Sequence, residues 1–334
     1  MKPTSFSTRF FASALSLIIP CIASSLSAAG AESGPVEVKD EDGKVVVKFG
    51  GKLFTEYHYK DVSRPYFYPI IGPSGAAMTR NWPMKNVPDE DHDHPHQKSL
   101  WYSHGDVNGH DFWAEGPKSG KTVQDSLRIE SSSGAGAIKS KNKLVAVDGT
   151  VVCTDDRTMR FYNRPNERIL DFEITIHADH GELTFGDTKE GAMAIRLAES
   201  MKVKRGHGNI VNSEGRRDDK NDKNTWGKRA NWVDYFGPVE GKTVGVAIFD
   251  HPKNPRHPTW WHVRDYGLFA ANPFGVHDFE AASDKTKGNF VIPAGESRTF
   301  RYRFYFHDGD EKQARVAEHY DEYVRMPASG TSTK

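Results

Sequence analysis

The chain has 334 residues, and its 45 basic and 45 acidic side chains cancel to a formal net charge of zero. That balance excludes a general nucleic-acid binder, which needs a basic excess or a clustered basic face, so no nucleic acid is expected as a partner. The mean hydropathy is −0.67 and the long apolar run is confined to the first 31 residues, which excludes a multi-pass membrane protein, while 30 Gly and 18 Pro favour many short strands over long helices.

Residues 1–31 have the pattern of a signal peptide: Lys2 and Arg9 supply positive charge, residues 10–26 are mostly apolar, and Ala29-Gly30-Ala31 offers a small-x-small cleavage site. A membrane anchor fits less well with Pro20 and the small-residue flank. A lipoprotein is disfavoured because Pro20 precedes Cys21. The expected mature protein is therefore periplasmic or extracellular, with no membrane attachment after cleavage. Loss of Lys2 and Arg9 leaves 43 bases against 45 acids, a net charge of −2. Cys153 is then alone in an apolar run, and is expected to be a small buried hydrophobe rather than half of a disulfide.

After this leader the pattern is β. Residues 36–40, 44–49 and 52–58 read as strands joined by Asp42-Gly43 and Gly50-Gly51, dipeptides suited to tight hairpins. Asp148-Gly149 joins 145–147 to 150–153 in the same way. Over 168–177, Leu170, Phe172, Ile174 and Ile176 alternate with polar residues, as on a half-buried strand, and Phe300, Tyr302, Phe304 and Phe306 repeat the device. One C-terminal helix is predicted, capped by Asp308 and Glu311, with Val316, Ala317, Tyr320, Tyr323 and Val324 on its buried face. Segments 71–98 and 216–229 resist assignment. The expected organisation is one all-β domain over 32–326, an antiparallel sandwich or two intimately packed sheets, followed by a flexible tail over 327–334.

No P-loop, G-x-S-x-G or H-E-x-x-H motif is present. What stands out is uneven His and Trp. Five of the 15 histidines lie between His92 and His110, around Asp91-His92-Asp93-His94-Pro95-His96 and His104-Gly105-Asp106-Val107-Asn108-Gly109. A second polar group is Asp187-Thr188-Lys189-Glu190-Gly191 with Arg196. A third joins His251, Arg256-His257, Trp260-Trp261-His262-Val263-Arg264 and Asn272-Pro273-Phe274-Gly275. Histidine beside carboxylates can move protons near neutral pH, and aromatic faces with forked polar groups suit sugars. For His92 and Asp93 a solvated loop is the simpler reading.

These strings, with Ser99-Leu100-Trp101 and Tyr266-Gly267-Leu268, resemble an uncharacterised family of secreted bacterial proteins that carries the automatic label "methane oxygenase PmoA". The chain departs from that family's pattern at Gln97, where a second His is frequent. A membrane copper oxygenase needs several spanning helices, so the label does not describe the chemistry expected of this chain. The family is in turn similar to the galactose-mutarotase-like supersandwich. That resemblance implies an antiparallel β-supersandwich whose concave sheet holds sugars, with a His and a carboxylate acting at the anomeric centre.

The resulting expectation is an exported carbohydrate-active enzyme, an epimerase, lyase or hydrolase, taking a small-molecule or oligosaccharide ligand. A non-catalytic sugar-binding protein and a metal-dependent enzyme using the His cluster are the alternatives. No cofactor is expected, although the histidines leave a divalent metal open. The three groups are expected to converge on one pocket, with three separate surface loops as the competing arrangement. Glu190 and either His96 or His104 are the expected catalytic pair. His94, Trp101, Asp106, Asn108, Arg196, Trp261, His262, Arg264 and Asn272 are expected to bind substrate, Trp101 or Trp261 as the stacking face and the two arginines on ligand oxygens.

Overall fold

The Asp42-Gly43 turn has both residues at positive φ, as a two-residue hairpin requires. It joins strands Val36–Asp40 and Lys44–Phe49, and Gly50-Gly51 leads on to Lys52–His58. The computed structural model describes residues 34–132 and 134–326, with Met1, Pro3 and Thr4. The expected signal peptide, apart from those three positions, and the expected tail lie outside the described residues.

Two large antiparallel sheets carry the fold. The first has eight strands in the order Val36–Asp40, Lys44–Phe49, Lys52–His58, Tyr66–Ile70, Leu100–His104, Gly191–Arg196, Leu268–Asn272 and Trp260–Val263. The second has nine: Arg217–Asp218, Asn209–Asn212, Trp232–Val239, Lys242–Asp250, Ser297–Asp308, Glu167–His177, Val151–Arg164, Ala135–Val145 and Lys121–Ser131. The residues read as short strands around Asp148-Gly149 are the ends of strands 11 and 14 residues long.

The inner faces meet in one apolar core. Phe54 of the first sheet lies edge-on to Phe161 and Phe306 of the second, at 6.2 and 5.7 Å, and Tyr235 approaches Phe269 at 6.2 Å. Each such buried ring contributes about 1.5–3 kcal/mol by leaving water. Cys153 is buried in this core as a free thiol. The architecture is an all-β, antiparallel supersandwich.

The C-terminal helix, Val316–Arg325, covers the outer face of the nine-stranded sheet. Val316, Tyr320 and Tyr323 pack on Phe249, Trp232 and Tyr305, so the outer side of Ser297–Asp308 is buried as well as its inner side. Ala317 is exposed, not on the packed face. The expected capping box does not form. Asp308 ends a strand, Glu311 pairs with Arg217, and the helix starts from Arg315 at φ 52° without a side-chain cap. A second helix is a single turn, Val276–Phe279. No helix among the described residues is long and apolar enough to cross a membrane.

Candidate functional site

The outer face of the eight-stranded sheet supports the site. Trp101, Ala194, Ala270 and His262 are paired across four adjacent strands, so their side chains share that face. The two alanines between the bulky ends leave room for Trp113 and Tyr266, which pack in the same cluster.

Connections between the strands wall a cavity of about 470 Å³ over this row. The segment before Leu100–His104 contributes His94, His96 and Gln97, and the segment after it Gly105, Asp111, Trp113 and Ala114. Thr188, Lys189 and Glu190 enter ahead of Gly191–Arg196, His262 rises from its strand, and Arg264 and Tyr266 come from the following turn.

His262 is held in one tautomer. Its Nδ1 lies 2.7 Å from the Lys189 carbonyl oxygen, which can only accept, so Nδ1 carries the proton and the Nε2 lone pair is free. Burial, with a smaller push from Arg264, lowers its pKa to about 4 against the pull of Glu190. His96 is likewise lowered to about 4 by burial, Arg64 and His94. For Glu190, burial raises the carboxyl, but the Lys189 ammonium, 2.8 Å away, and the fields of His262 and His96 outweigh it and leave the pKa below the ordinary value. At neutral pH His96 and His262 are therefore neutral imidazoles and Glu190 is a carboxylate, with the Lys189 ammonium and the Tyr266 phenol as proton donors. Burial raises the phenol pKa.

Three buried guanidinium groups fix the histidine-bearing wall. Arg64 donates to the carbonyls of His96, Trp113 and Ala114. Arg80 holds Asp93 and the carbonyls of Asp91 and His94. Arg196 reaches the Gln97 side chain and Asp93, and its guanidinium lies 4.7 Å from the Tyr266 ring. Segment 71–98 is thus ordered by side-chain hydrogen bonds to its backbone rather than by a ladder, which is why no periodicity marks it. Arg64 and Arg80 are isolated in sequence, and nothing there distinguishes them from surface arginines.

Of the expected site residues, His94, His96, Glu190, His262 and Arg264 line this cavity; the others lie elsewhere. His104 points inward, donates through Nε2 to the Gly186 carbonyl at 2.8 Å, and packs on Phe274 and Phe185. Trp261 is fully buried in the core, with its Nε1–H on the Ala230 carbonyl. Trp101 is buried beside Trp113, at 5.2 Å, and it is Trp113 that reaches the cavity. Asp106 accepts from the Gly109 amide, and Asn108 bridges to Glu182 and Thr184, so both fasten loops. Arg196 is enclosed beneath the wall. Asn272 donates to the Thr188 and Lys189 carbonyls and so positions the strand of chain that carries Glu190. His251 and His257 lie apart, against Tyr323 and Asp250. The cavity adds Gln97, Asp111, Trp113, Lys189 and Tyr266. Among the described residues, no three His, Cys, Asp or Glu side chains are grouped as metal ligands.

These placements separate affinity from stability. Trp261→Ala is expected to cost about 3–5 kcal/mol of folding stability, the usual range for deleting a buried aromatic, as measured by urea unfolding. A ligand-affinity loss without that destabilisation would contradict the core assignment.

Fold and site together define a two-sheet antiparallel sandwich with a polar, aromatic-walled cavity on the outer face of one sheet. The chain belongs to a family of unknown function, DUF6807, whose pattern matches residues 44–321. It is this family, and not the methane-oxygenase label, that the match shows. No curated protein matches the sequence. Among solved structures the chain is similar to the GH36 α-galactosidase AgaA from Geobacillus stearothermophilus, with 9% identity over 82% of this chain and 40% of that one, at a TM-score of 0.42. The α-galactosidase from Lactobacillus brevis matches with 9% identity over 83% and 40%, at 0.37. A glycoside hydrolase family 97 enzyme from Pseudoalteromonas sp. strain K8, in complex with panose, matches with 10% identity over 88% and 37%, at 0.36. The chain spans about 40% of the length of these proteins.

Proposed function

We propose that the protein is an exported carbohydrate-active enzyme, an epimerase, lyase or hydrolase, working by His and carboxylate acid–base chemistry in this cavity. The observation that carries the reading is the free Nε2 of His262 in one cavity with Glu190 and the faces of Trp113 and Tyr266. His262 takes the proton-accepting role, with His96 as a second base. The aromatic faces suit the C–H surfaces of a sugar ring, and the surrounding polar groups suit its hydroxyls.

The test is incubation of the purified protein with a panel of mono- and disaccharides, with products followed by NMR. Turnover that survives EDTA and is lost in Glu190→Gln supports the reading. Sugar binding without turnover would favour the non-catalytic alternative, and activity lost on chelation and restored by a divalent ion the metal-dependent one. Export rests on the leader: the native N-terminus is expected near Gly30 or Glu32, and sequencing that found Met1 would overturn it.

The pH profile carries a sign. The base works when neutral, and burial moves its pKa down to about 4, so kcat/KM should stay level from pH 8 to about 5.5 and fall only as pH approaches 4. An acid limb centred near 6.5, the ordinary histidine value, would exclude His262 and His96 as the base.

A further inference from the structure

Arg264 is built as an anion fork. Its Nε donates to Asp222, and its guanidinium carbon lies 5.6 Å from the Trp226 ring and 5.4 Å from the Tyr266 ring. The group is thus held at one nitrogen and over two aromatic faces, while its two terminal nitrogens have no hydrogen-bond partner among the described residues and the side chain lines the cavity. A guanidinium fixed in this way presents two parallel N–H donors, the geometry that carboxylates accept bidentately, and loses little entropy on binding. Asp222 and Trp226 both come from the charged stretch 216–229, which supports the cavity through Arg264 without lining it.

The wall behind the cavity has the same sign. Arg64, Arg80, Arg196 and Lys98 are met there by the carboxylates of Asp93 and Glu115. Lys189 and Glu190 neutralise each other. Asp111 spends one oxygen on the Trp113 and Ala114 amides. A hydroxyl of a neutral ligand would accept from one terminal nitrogen of Arg264 at a time, whereas a carboxylate accepts from both together and also meets the charge.

We infer that the ligand is an acidic sugar, a uronic acid unit whose carboxylate is taken bidentately by Arg264 while its ring lies against the aromatic wall. The inference rests on the sugar-site reading above and narrows it to one substrate class. It also sets the pose, because the carboxylate is fixed at the Arg264 end of the cavity, next in the chain but one to the free Nε2 of His262.

The test is calorimetric titration of the purified protein with D-galacturonate and D-glucuronate, their methyl esters, the parent neutral sugars, and glucose 6-phosphate. The acids are expected to bind about tenfold or more tightly than their esters and neutral parents, the worth of one charge-assisted pair. Arg264→Gln should erase that preference, and Asp222→Asn should weaken it by releasing the guanidinium. The acid-against-ester comparison needs no variant, so it stands even where a substitution impairs folding. Equal binding of acid and ester overturns the inference, as does tighter binding of the phosphate. Neutral sugars that bind while uronates do not would overturn it and leave the sugar site intact. No binding by any of these sugars would overturn both.

Discussion

His262→Asn is expected to lower kcat on a processed sugar by about 10²–10⁴-fold, the usual worth of a positioned general base. Asparagine is the informative replacement because its amide nitrogen takes the place of Nδ1 and keeps the hydrogen bond to the Lys189 carbonyl. What disappears is the Nε2 lone pair. The segment carrying Glu190 stays tied through Asn272, which bonds the same carbonyl, so the unfolding midpoint should move little. Glu190→Gln should give a loss of similar size, with Lys189 left without its partner. A His262→Asn enzyme within about threefold of the wild-type rate would place the base elsewhere, with His96 next to examine.

Acid should destabilise the protein well before its carboxylates titrate. Burial lowers both His104 and His262 to about 4, against about 6.5 in the unfolded chain. The unfolded state therefore binds more protons between those values. The stability these residues contribute is complete above pH 6.5 and is lost as pH falls towards 4. At 1.36 kcal/mol per unit the loss is about 3 kcal/mol for each residue. One group works the other way: Asp234, 3.0 Å from His307, raises that histidine against its burial, so its contribution grows on acidification. The net expectation is a steep fall in the urea midpoint between pH 6.5 and 4.5. His104→Asn should start lower and fall less. A midpoint that is flat over this range would mean the two rings are not held neutral.

The sandwich was legible because alternation is a local property. The first three strands, the Glu167–His177 strand and the helix follow from period and turn residues that need no partner to be recognised. The helix cap failed because Asp308 and Glu311 have the right spacing but are taken up by a strand and by Arg217. Within the candidate site, clustering of His, Glu and Arg pointed to stretches of chain that wall the cavity but not to the face each side chain takes. Trp260 and Trp261 show why. Neighbours on a strand point to opposite sides, so Trp261 enters the core while His262 reaches the cavity. The same parity sends His104 inward and leaves Trp101 beneath Trp113. Register decides this, and register depends on long-range pairing. Arg64, Arg80 and Asp222 gave no signal because their partners are backbone carbonyls and charged side chains well separated from them in sequence.

The guanidinium clamp on the 71–98 segment has a thermodynamic consequence. The segment is tied at His94 and His96, and the wall beyond it at Trp113 and Ala114, so the entropy of ordering that wall is spent at folding rather than at encounter. A ligand arriving here meets a rigid receptor. Binding should then show a small heat-capacity change, in proportion to the ring area covered and without the large negative increment of a segment that folds around its guest. Selectivity in such a receptor comes from shape and charge fixed in advance, and a poorly matched ligand is turned away rather than accommodated.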